Sequence, residues 1–107
     1  MSSPPQFAIL TAIKGTAVQN TTNNFWVILG VGWTAGDLAG SSNTNILKVN
    51  DTQGNQISVI IASTAAGAIA QPKNVVVPPG GKMASDLTSG VNIEYVSVPL
   101  DDLWKWL

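Results

Sequence analysis

Apolar and polar residues alternate over short runs along this chain, and the runs are separated by turn formers. VNIEYVSV (91–98) sets Val91, Ile93 and Tyr95 on one side and Asn92 and Glu94 on the other, the period of a strand. FWVILGVGWTA (25–35) is the most apolar stretch. Its β-branched and aromatic content predicts a central strand, and Gly30 and Gly32, two apart, leave a groove on one face. FAILTAIK (7–14) predicts a first strand, and GTAVQNTTNN (15–24) a polar, turn-rich link. NILKV (45–49) and NQISVIIAS (55–63) flank NDTQG and predict a hairpin, with Ile57, Val59 and Ile61 facing the core. Val75–Val77, bracketed by prolines, predicts a strand at a sheet edge, and GGKMASDL (80–87) starts another after a PPGG turn. AGDLAGSSNT (35–44) reads as a loop, TSG (88–90) as a turn, and TAAGAIAQ (64–71) fits either a helical turn or a loop.

The period changes at the end. In PLDDLWKWL (99–107), Leu100, Leu103, Trp104 and Leu107 fall on one helical face. Pro99 suits a helix start, Asp101 and Asp102 its positive end and Lys105 its negative end. So short a helix needs a surface to dock on. Six to eight short strands with Gly, Pro and Asn turns predict an all-β chain: a single-domain β-sandwich, jelly-roll or immunoglobulin-like. Residues 1–6 form an extended N-terminal arm, 7–98 the sandwich and 99–107 an amphipathic tail with a short helical turn.

Composition sharpens this. The chain has 107 residues, a length suited to one domain, and is 45% hydrophobic and only 10% charged. Its surface must therefore be built largely from small, weakly hydrated residues, which suits a protein held among neighbours. All five basic residues are scattered lysines, so nucleic acid is a poor partner. No basic run points to a membrane surface. The longest apolar run falls far short of a span, and the first residues lack the charged region of a signal peptide. With no Cys and no His, Cys- and His-based triads and the usual zinc sites are excluded, so no small-molecule substrate is expected. Lys82 and Ser85 stand three apart, which on a strand puts them on opposite faces. NDTQGN (50–55) lacks the closing Glu of a calcium loop, and the Asn-x-Thr triplets at Asn20 and Asn50 carry no meaning without secretion.

Candidate chemistry thus reduces to contact. Trp104 and Trp106 stand in the last four residues. One sandwich readily buries one indole. With Trp104 plugging the open end of the sandwich, Trp106 and Leu107 remain for a second surface. The expected interface residues are Leu103, Trp104, Trp106 and Leu107 at one end, with Pro4, Pro5 and Phe7 as a second clamp.

The order FWVILGVGW, then the hairpin ILKVNDTQGNQISVII, then VVVPPGGKMASDLTSGVNIEYVSV resembles small β-sandwich virion proteins of tailed bacteriophages. The closest likeness is to capsid decoration (cement) proteins. The shared pattern is a Pro-Gly turn, a short strand, "SG" and a final strand, over about residues 25–98. The resemblance implies a virion protein assembled in the host cytoplasm that binds the outer capsid at symmetry axes as a homotrimer. Its termini would clamp subunits of the major capsid protein, with no cofactor and no chemistry. The rival expectation is a carbohydrate- or receptor-binding module of a tail or head fibre, in which Trp26, Trp33 or Tyr95 stacks on sugar rings.

Overall fold

The computed structural model describes residues 6–12, 15–33, 45–62, 69–85 and 91–107. Nine strands are described: β1 (Gln6–Ala12), β2 (Val18–Gln19), β3 (Phe25–Trp33), β4 (Asn45–Asn50), β5 (Gln56–Ala62), β6 (Ile69–Ala70), β7 (Val76–Val77), β8 (Lys82–Ser85) and β9 (Val91–Val98). A 3-10 helix (Leu100–Trp106) follows. The strands form two sheets, as expected of an all-β sandwich. One runs β1-β9-β3-β6, with β7 also on β3; the other runs β2-β8-β4-β5. β1, β9 and β3 pair antiparallel, and so do β4 and its neighbours β5 and β8. The expected loop at 35–44, the turn at 88–90 and Pro4 and Pro5 lie outside the described residues.

The core forms between the sheets. Ala12, Trp26, Ile28, Val31, Val91 and Ile93 of the first sheet meet Leu47, Val49, Ile60 and Met83 of the second. β9 and β3 are central, as their apolar alternation demands. β3 carries a bulge: Ile28 pairs with Tyr95 but Gly30 with Glu94, so Leu29 is the extra residue and the alternation changes phase there. Trp26 pairs with Ser97 and is buried, and its ring packs against Tyr95 with centroids 4.7 Å apart.

The hairpin forms where NDTQG predicts it, but the face assigned to its second arm is corrected. Ile57 and Val59 are exposed and Ile60 is in the core. The partner strand decides the matter. Leu47 and Val49 point inward around exposed Lys48, and Leu47 pairs with Ile60 while Lys48 pairs with Val59. The alternation of β5 must follow them.

The hairpin turn is held by Asp51. Its carboxylate accepts the backbone N–H groups of Gln53 and Asn55, each at 2.9 Å. The Asn55 backbone N–H above all holds this carboxyl below the ordinary Asp range; burial opposes it, and the Gln53 N–H and the Asn55 side chain add to the lowering. A folded-state pKa below the unfolded one stabilises the fold above the unfolded value, and that gain is lost as pH falls through the folded one. Thermal unfolding followed from about pH 5 downward is therefore expected to show wild type losing more stability than Asp51→Asn.

The PPGG turn joins the sheets' ends. Gly80 has φ of 81°, a left-handed conformation, and a Cβ there would stand 2.5 Å from the Thr52 methyl. Gly80→Ala is expected to cost about 1–2 kcal/mol, read as a lowered denaturant midpoint with unchanged slope. Next to it, Gly81 N–H donates to Pro78 C=O at 2.9 Å and closes the turn.

Candidate docking face

The first sheet has a second, outward face, and the tail lies on it. Val96 and Val98 of β9 and Val27 of β3 point away from the main core, yet all three are buried. Leu103 and Trp106 of the 3-10 helix cover them, together with Leu29 and Val76. The tail therefore packs on the outer surface of its own sheet, and the expected end plug is corrected.

The tail's period is three, not 3.6. A 3-10 helix stacks residues i and i+3, so Leu103 and Trp106 share the docked ridge, and Trp104 and Leu107 share another that is 70% and 59% exposed. This corrects the expected face of Leu100, Leu103, Trp104 and Leu107. It also exchanges the two indoles: Trp106 is the one held by its own protomer and Trp104 the one left outside. On the third ridge Lys105 Nζ meets Asp102 Oδ1 at 3.2 Å, and the ammonium lies 5.9 Å from the Trp104 ring centroid. Seven residues is long for such a helix, and docking is what holds it.

Phe7 joins the same face. It pairs with Val96, and its ring meets that of Trp106 edge-on, with centroids 5.6 Å apart. Phe7 of β1 and the C-terminal tail, expected in separate clamps, meet on one surface. Phe7 is 65% exposed and Ile9, two residues along β1, 67%. β1 is an edge strand of this sheet, and QFAILTA carries none of the charges or prolines that usually protect an edge.

Farther along this face the side chains thin out over Gly30 and Gly32. A groove of about 320 Å³ opens there, walled by Ile9 and Leu29 and rimmed by Gln71, Asn92 and Glu94. Thr11 Oγ1 donates to Asn92 Oδ1 at 3.0 Å and fixes that amide. The groove was foreseeable from the two glycines. The apolar patch under the tail was also readable, since Val96 and Val98 continue the outward series of Asn92 and Glu94.

Of the aromatic residues considered for sugar stacking, Trp26 is buried and Tyr95 half-buried against it. Trp33 pairs with Val91, and its side chain lies outside those described. On β8, Ser85 is buried and Lys82 exposed, on opposite faces. No group of three His, Cys, Asp or Glu able to hold a metal occurs among the described residues, and no described helix is long and apolar enough to cross a membrane. No protein-family model matches the chain, and no curated protein matches it.

Proposed function

We propose that this chain is a structural virion subunit, a capsid decoration protein that joins copies of itself and clamps neighbouring major capsid proteins through the face where β1 and the C-terminal tail meet. The observation that supports this reading is the convergence of β1 and the tail at Phe7 and Trp106, which leaves Phe7, Ile9, Trp104 and Leu107 exposed. Large apolar residues left in water on a protein so poor in charge are an adhesive surface. Each contact is small, and repetition around a shell multiplies weak contacts into firm attachment.

The test is co-sedimentation of the chain with assembled shells of a tailed-phage major capsid protein. Wild type is expected to saturate the shells. Trp104→Ala/Leu107→Ala is expected to lose at least tenfold in affinity while melting at the wild-type temperature, because neither side chain is packed within the protomer. Full occupancy by that double variant would refute the reading.

A further inference from the structure

Two features of the outer face are unexplained by the protomer itself, and they fit each other. Trp104 is the first. It is the most exposed of the large apolar side chains described, and it is carried on a helix whose other ridge is fixed by docking. An indole is the residue type most enriched among anchors of protein interfaces.

The groove over Gly32 is the second. A glycine inside a strand weakens it and normally answers a local need. Gly32 meets none: its φ is not left-handed, and a Cβ there would touch nothing nearer than Asn92 C=O at 4.0 Å. The space it leaves is open to the outside. At about 320 Å³ it is the size of a small ligand pocket, with aliphatic walls from Ile9 and Leu29. Its one ionisable group, Glu94, has no cation within salt-bridge distance among the described residues.

We propose that Trp104 of one copy seats in the Gly30–Gly32 groove of a second copy. This deepens the assembly reading above by naming what the chain's self-contact is made of. The indole lies between Ile9 and Leu29. Its Nε1–H, a donor with no acceptor capacity, faces the oxygens of Gln71, Asn92 and Glu94 on the rim. Lys105, adjacent to Trp104 in sequence, 5.9 Å from its ring and held at 3.2 Å by Asp102 of its own copy, is the cation that turns toward Glu94, which has none among the described residues. Each copy holds one knob and one groove, so the exchange forms a reciprocal pair, a ring or an open chain according to the rotation between copies.

Sedimentation equilibrium of the full chain tests this. Wild type is expected to associate at concentrations of roughly 100 μM, as weak, small interfaces do. Trp104→Ala and Gly32→Val should each weaken association roughly 30-fold or more, the loss expected of an anchoring Trp, and Glu94→Lys should weaken it as well. Gly32→Val should do so with an unchanged or raised melting temperature, which separates a filled groove from a damaged fold. Labelled Trp104→Ala chain, whose groove is intact, should then show amide shifts at Gly30, Gly32, Asn92 and Glu94 on addition of unlabelled Gly32→Val chain, whose Trp104 is intact. A monomeric wild type, a Trp104→Ala chain that still associates, or a mixture without those shifts overturns the proposal. Shell binding by a chain that is monomeric in solution overturns this contact alone. Self-association through Trp104 without shell binding overturns the decoration reading alone.

Discussion

Replacing Asn20 with Asp is expected to cost about 3–5 kcal/mol at neutral pH, enough to unfold much of a marginally stable domain. The substitution changes one NH2 group to an oxygen. Asn20 is fully buried, and its amide is fully used. Nδ2 donates to Asn24 C=O at 2.9 Å and Val77 C=O at 3.1 Å, while Oδ1 accepts Thr22 N–H at 3.1 Å and the Thr22 hydroxyl at 2.6 Å. Its backbone is equally engaged: N–H donates to Gly81 C=O and C=O accepts Gly80 N–H. Asn20 follows β2 of the second sheet, and Val77 belongs to β7, which pairs with β3 in the first. This one side chain thus ties the two sheets at the PPGG turn.

An Asp there points an oxygen at two carbonyl oxygens about 3 Å away, in a site closed to solvent. Either the carboxylate stays charged and unpaired, or it takes a proton that only one carbonyl can share. Its folded-state pKa must therefore rise above the unfolded value. By linkage, the penalty is small below the unfolded value, about pH 4, and grows as pH rises above it. Urea unfolding of Asn20→Asp at pH 3 and pH 7 should show the gap from wild type widening toward neutrality, opposite in slope to the loss expected at Asp51. Equal stability of the two proteins at pH 7 would refute the role assigned to Asn20.

The hydrophobic pattern reads well where one neighbour decides the outcome and poorly where two compete. VNIEYVSV and FWVILGVGW announce central strands because strict alternation or a long β-branched run has few other homes. NQISVIIAS did not fix its own inward face. Ile60 and Ile61 are adjacent, so either alternation is apolar, and only the pairing with Leu47 and Val49 selects Ile60. Asn20 was invisible for a different reason. A polar residue in QNTTNN looks like any turn former, and nothing local says that the chain on either side will close over it. The same burial disposes of its Asn-x-Thr triplet, because an amide whose two N–H groups are both bonded inside the fold is not available for glycosylation in the native state.

The tail shows how a short segment misleads. Over nine residues a period of 3.6 and a period of three share the i, i+3 pairs and differ only at i+4. Choosing the former put Trp104 on the docked face; the sheet beneath selects the latter. Trp106→Ala is therefore expected to destabilise the protein by about 2–3 kcal/mol, below the full cost of a deeply buried Trp because the residue keeps part of its surface in water. The loss has three parts: contact with Val27, Val96 and Val98, the edge-on contact with Phe7, and the docking that keeps the 3-10 helix formed. Trp104→Ala, two residues away and with the same change in composition, should stay within about 0.5 kcal/mol of wild type. Deleting 99–107 should exceed Trp106→Ala, since it also uncovers the three valines to water; the tail is a piece of the fold as well as a candidate adhesive. Chemical denaturation of the three proteins, read by far-UV circular dichroism so that the lost indoles do not distort the signal, orders them. If Trp104→Ala proves as damaging as Trp106→Ala, the three-residue ridge is wrong and both rings are needed by the protomer itself, leaving no free indole to reach another chain.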